Sequence, residues 1–97
     1  MKLGKIKGFY ITKGINTICE STHNFRELLI EKLDDFLHDN WGNICPEDQE
    51  ANRWALETGS RVIGSYTINR TKIWIIAEPK DDNGIREAVT ILLPEEY

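Results

Sequence analysis

Between Asn24 and Gly59 the apolar residues of this chain recur every three or four positions; from Arg61 onward they recur every two. The first spacing buries one stripe of a helix and the second buries one face of a strand. A chain that carries one and then the other must lay helices on a sheet, which predicts an α+β fold. At 97 residues there is room for one hydrophobic core, so 1–97 reads as a single domain.

The elements follow from local chemistry. Asn24, with Glu27 three positions on, forms a capping-box-like start, and Phe25, Leu28, Leu29, Leu33, Phe36 and Leu37 make one apolar stripe behind it. This helix is expected to stop near Asp39 or Asn40, with Gly42 supplying the left-handed residue. Pro46 suits the first position of a second helix, because its missing N–H would be unpaired there in any case. Ala51, Trp54, Ala55 and Thr58 mark the expected buried side of that helix, and Gly59 ends it. Residues 62–68 and 72–77 read as a hairpin joined through Asn69-Arg70-Thr71. Lys80-Asp81-Asp82-Asn83-Gly84 is a polar turn, and 88–93 forms a further strand that Pro94 stops. Short connections favour antiparallel neighbours, so the C-terminal strands are expected to form a three-stranded meander packed by two main helices. Residues 5–12 read as a short first strand, placed at a sheet edge. Residues 15–20 fit a strand or a helical turn equally well.

The formal net charge is −4, but it is unevenly spread. Residues 1–19 hold Lys2, Lys5, Lys7 and Lys13 and no acid, whereas residues 27–57 hold nine acids against Lys32 and Arg53, a net −7. Phosphate backbones are bound through clustered Lys and Arg, so the central block opposes direct nucleic-acid binding and suits a basic protein surface. Charged helix faces are more often simply solvated. No stretch approaches a membrane span, and Met1-Lys2-Leu3-Gly4-Lys5 lacks the apolar core of a signal peptide, so a cytoplasmic protein is expected. Cys19 and Cys45 then read as free, partly buried thiols rather than a disulfide.

The usual catalytic and phosphate-binding motifs are absent. Cys19, His23, His38 and Cys45 are the only soft ligands, and their spacing matches no zinc pattern, so neither metal nor cofactor is expected. Glu47 and Asp48 fit the positive end of a helix dipole; Glu78, Asp81 and Asp82 fit a turn, with Arg86 close enough in sequence to pair with one of them. Trp41, in the connection between helices, is either a plug over the core or an anchor for a partner, and Trp54 and Trp74 read as core.

Trp41-Gly42-Asn43-x-Cys45-x-Glu47-Asp48-x-x-x-Asn52, then Gly59-x-Arg61, Tyr66, Lys72-Ile73-Trp74-Ile75-Ile76-x-Glu78 and the ending Thr90-Ile91-Leu92-Leu93-Pro94-Glu95-Glu96-Tyr97, resemble a family of small, mostly uncharacterised plasmid-related proteins carried on bacterial mobile elements. The resemblance covers about residues 41–97. Where that family has Trp-Gly-Asp this chain has Asn43, and the family's compact acidic stretch before the last strand is here the longer 78–86 loop. The resemblance implies a mobile-element setting in a bacterial cytoplasm and supplies no activity.

Two expectations result. The first is a non-enzymatic accessory protein that binds a basic partner through Glu31, Asp34, Asp35, Asp39, Trp41, Glu47, Asp48, Asn52 and Glu78, in its sharpest form an inhibitor of a host defence nuclease complex of the anti-CRISPR or anti-restriction type. The second is a small enzyme or ligand-binding domain with a pocket built from Trp41, Glu47, Asp48, Asn52 and Glu78, which requires those side chains to converge.

Overall fold

The computed structural model describes residues 2–97 and has an α+β fold. Two short strands, β1 (Lys5–Ile6) and β2 (Phe9–Ile11), precede helices α1 (Lys13–Ser21), α2 (Phe25–Leu37) and α3 (Pro46–Thr58). Strands β3 (Val62–Ile68), β4 (Thr71–Ala77), β5 (Ile85–Arg86) and β6 (Val89–Leu92) follow, and a 3-10 turn covers Pro94–Glu96. The sheet order is β2-β6-β4-β3, with β3, β4 and β6 antiparallel as expected of the meander. Asn69 and Arg70 both take positive φ, which is what a two-residue hairpin connection requires.

The expected first strand over 5–12 is instead broken in two, and it runs parallel to its partners. Lys5 pairs with Ile85 and Ile6 with Arg86; Phe9, Tyr10 and Ile11 pair with Val89, Thr90 and Ile91. Both halves keep the same offset of 80 residues, so the break at Lys7-Gly8 is a local kink opposite Glu87-Ala88 and not a change of register. Residues 13–21 resolve the open choice as a helix, with Ile15 fully buried.

α2 buries Phe25, Leu29 and Phe36, with Leu28, Leu33 and Leu37 half-buried, so its expected stripe is the stripe that packs. Each of these side chains contributes on the order of 1.5–3 kcal/mol when fully buried. Both ends of α2 differ from expectation. Asn24 lies in the left-handed region at φ 64° and its side chain makes no capping bond. At the other end it is Asp39, with φ 65°, and not Gly42 that supplies the left-handed residue ending the helix. Asn40 N–H donates to Asp35 C=O at 2.9 Å and Asp39 N–H to Phe36 C=O at 3.2 Å, the paired bonds of a Schellman ending.

α3 starts at Pro46 and ends on Gly59 in the left-handed region, as its sequence predicts. Its inward face is rotated from the expected one. Asn52 and Ala55 are buried and Gln49 and Leu56 half-buried, while Ala51 and Thr58 are exposed and Trp54 is 61% exposed rather than core. Trp74 is half-buried and meets Tyr97 edge to face, ring centroids 5.5 Å apart.

Arg86 explains much of α3's position. It is fully buried and pairs with none of the nearby acids. Its guanidinium donates instead to four backbone carbonyls: Leu3 at 2.9 Å, Ser60 at 2.7 Å, Glu78 at 2.9 Å and Ala55 at 3.5 Å. Ala55 and Ser60 place the cation at the C-terminal end of α3, where the helix dipole favours positive charge. Removal from water lowers the Arg86 pKa.

Candidate functional site

The nine candidate residues separate into distinct settings. Glu31 and Asp34 stand exposed on α2 and Asp35 is half-exposed beside them. At 100° per residue, Glu27, Asp34, Glu31 and Asp35 form a ridge next to Ile30 and away from the buried stripe. Asp34 faces the His38 ring at 3.5 Å. Among the described residues, Glu31, Asp35, Glu47 and Asp48 have no cation within ion-pair distance. Asp39 differs: its Oδ2 lies 3.8 Å from Lys2 Nζ, and its Oδ1 is buried without a hydrogen-bond partner.

Trp41 is 7% exposed and is therefore the plug of the two alternatives. It lines a hollow with Lys2, Asp39, Gln49, Arg53 and Leu56. Asp48 and Asn52 line a different hollow, with Arg61 and Ile63. Glu47 and Asp48 occupy the first turn of α3, as the helix dipole favours. Glu78 lies past the end of β4, 3.6 Å from Arg61 Nε, and Arg61 also donates to the Tyr97 hydroxyl at 2.8 Å. Trp41, Asn52 and Glu78 are thus not brought to one cavity.

Several of these residues act on the sheet edge. The Asn52 amide donates to Ile63 C=O at 2.8 Å and accepts Ile63 N–H at 3.2 Å, so it pairs with β3 as a neighbouring strand would. Two residues on, Ser65 N–H donates to Trp41 C=O at 2.9 Å and Asn43 N–H donates to Ser65 C=O at 2.7 Å. Gly42 sits between those bonds at φ 74°, and a Cβ there would lie 2.1 Å from Ser65 O, so only glycine fits. Tyr66 donates its buried hydroxyl to Asn40 C=O at 2.6 Å. Burial, with Asp35 as a smaller influence, pushes that phenol up, so it stays a donor. The outer edge of β3 is covered at Ile63 and Ser65 by these contacts, one of the ways in which folded chains protect sheet edges.

The opposite edge is open. Val89 N–H donates to Gly8 C=O and Thr12 N–H to Ile91 C=O, which fixes the even-numbered backbone groups of β2 toward β6. By alternation, the N–H and C=O of Phe9 and Ile11 point outward, and no partner meets them among the described residues. Phe9 is 51%, Tyr10 56% and Ile11 37% exposed, and across a groove of about 210 Å³ stands Ile30 of α2 at 59%. Leu29, Leu33, Val89 and Ile91 floor that groove and Arg26 borders it. The sequence reading does not single out these residues. Its available signals were the uninterrupted apolar run Phe9-Tyr10-Ile11 in a strand and Ile30 falling off the α2 stripe.

The cysteines and histidines are spread over separate elements. Cys19 lies in the last turn of α1 and His23 in the connection to α2, His38 Nδ1 is 2.8 Å from Asp34 O, and Cys45 precedes α3. Among the described residues no three His, Cys, Asp or Glu side chains converge as a metal site. At Cys45 the Asp48 backbone N–H is the strongest influence and favours the thiolate, yet the Asp48 and Glu47 carboxylates with desolvation outweigh it and raise the thiol pKa. Also among the described residues, no helix is long and apolar enough to cross a membrane. Compared with protein-family models, curated proteins and solved structures, the chain matches none.

Proposed function

We propose that this chain is a non-enzymatic binding protein that docks a basic protein surface against the acidic ridge of α2. The observation that carries the reading is the uncompensated charge of that ridge: Glu31 and Asp35 have no ion-pair partner among the described residues, and Asp34 has only a histidine. Glu47 and Asp48, in the first turn of α3, add acids that have no ion-pair partner among the described residues. A ridge of this kind attracts clustered Lys and Arg and repels nucleic acid itself. In its sharpest form the partner is a nucleic-acid-handling defence enzyme, whose phosphate-binding surface the carboxylates would occupy; the resemblance to plasmid-related proteins supplies that setting. The alternative, a ligand or catalytic pocket, loses support because Trp41, Asn52 and Glu78 are engaged in separate packing and edge-sealing contacts.

The test is capture of partners from a bacterial lysate, identification by mass spectrometry, and titration of the purified partner at two salt concentrations. Binding is expected to weaken by about tenfold or more when Glu31, Asp35 and Glu47 are each changed to Lys, and to weaken as salt shortens the reach of the charges. A captured partner that binds the triple variant as tightly as the wild type would overturn the acidic-ridge reading.

A further inference from the structure

The groove between β2 and α2 shares only Asp34, at its boundary, with the acidic-ridge reading, and it gathers Phe9, Ile11 and Ile30, three of the six large apolar side chains that the described residues leave exposed. It lies along the sheet edge whose outward backbone groups at Phe9 and Ile11 meet no partner among the described residues. We propose that this edge and groove join two copies of the chain about a two-fold axis, with β2 running antiparallel to β2 of the second copy. The two four-stranded sheets then become one continuous sheet.

Three observations select a second copy as the occupant. First, the sheet's edges are treated oppositely: Asn52 and the Trp41–Asn43 segment cover β3 at Ile63 and Ser65, while the outward backbone groups of Phe9 and Ile11 have no partner among the described residues. An antiparallel strand satisfies such groups, and a two-fold pairing satisfies both copies at once. Second, the axis that makes the strands antiparallel also sets α2 antiparallel to its copy on the same face of the joined sheet. If Ile30, the most exposed apolar residue of the groove, packs on its own counterpart, Arg26 falls opposite Asp34 of the second copy. Arg26 makes no ion pair among the described residues, and Asp34 faces only His38. The surface is therefore complementary to itself in charge as well as in apolar character. Third, the lysines flanking β2 are held aside. Lys7 is 3.7 Å from Glu87 of its own chain, and Lys13 has already left the strand for α1.

Sedimentation equilibrium tests the proposal on the whole chain, over roughly 1 µM to 1 mM protein, a span that brackets ordinary self-association. The wild type is expected to approach twice its 11.2 kDa mass within this range. Ile30→Glu, at an exposed helix position, is expected to weaken the dimer by about tenfold or more without loss of helical circular dichroism. Phe9→Pro removes one outward N–H without touching the β6 ladder and is expected to do the same. Arg26→Asp and Asp34→Arg should each weaken the dimer, and the two together should restore it. A wild type that stays monomeric throughout overturns the proposal. So does a dimer indifferent to Ile30→Glu, or a charge exchange that restores nothing, since either places the contact elsewhere. Glu31, Asp35 and Glu47 lie outside the groove, so loss of the dimer and loss of the basic partner are separately measurable.

Discussion

At the residue scale the most consequential side chain is Arg86. A buried cation is tolerated only when its nitrogens find hydrogen-bond partners, and here each of the three guanidinium nitrogens donates to at least one backbone carbonyl, four carbonyls in all. Arg86 thus ties Leu3, the last turn of α3, Ser60 and the end of β4 to one planar group. Arg86→Met removes the partner of the Leu3, Ser60 and Glu78 carbonyls and is expected to cost about 3 kcal/mol or more. Arg86→Lys is expected to recover only part of this, because an ammonium on a flexible stem does not reproduce the fork. Urea denaturation of the two variants and the wild type checks both statements. Nothing adjacent in the sequence reveals this role. Arg86 is surrounded there by Glu78, Asp81, Asp82 and Glu87, and pairing with one of them is the natural local expectation. Its true partners are brought from as far away as Leu3, and they are backbone atoms that carry no sequence signature.

At the element scale, what was legible was what is local. The α2 stripe, Pro46 and Gly59 around α3, and the hairpin of β3 and β4 all depend on residues within one or two turns of each other, and all three are present. The rotation of α3 was hidden because a polar residue, Asn52, takes the position an apolar one would be expected to hold, and it earns burial by pairing with Ile63. Helix α1 was ambiguous for a related reason: what fastens its start lies at the other end of the chain. Glu96 accepts the Thr12 hydroxyl, Leu93 N–H at 2.9 Å and Gly14 N–H at 2.9 Å, so a carboxylate from the 3-10 turn sits at the first turn of α1. The Thr12 hydroxyl most of all, then the backbone donors, hold the Glu96 carboxyl below its ordinary value. A lowered folded-state pKa gives stability that is present above the unfolded value and lost as pH falls through the folded one. Glu96→Gln is therefore expected to lower the denaturation midpoint at pH 7, and the gap from wild type should close below about pH 4. Denaturant titrations at neutral and acid pH measure that closure; a gap that is independent of pH would mean that the charge contributes nothing.

At the scale of the whole molecule, the charge and the apolar surface are separated. The acidic ridge runs along one side of α2 and the open groove along the other, with Ile30 next to the boundary, so one helix presents two chemically different faces. None of this separation is visible in net charge, which averages it away; it needed the sheet order to show which edge is left open. The fixed offset of 80 residues between the first strands and their partners has its own result. Residues 5–11 are synthesised long before residues 85–91 exist to receive them, and contacts of such wide separation close late because the intervening chain must first be ordered. In refolding followed by pulsed hydrogen exchange, amides of β3 and β4 are expected to gain protection before Tyr10 does. During translation, then, the tract Phe9-Tyr10-Ile11 waits as an apolar strand without a sheet, the stage at which an exposed strand is most open to misassembly.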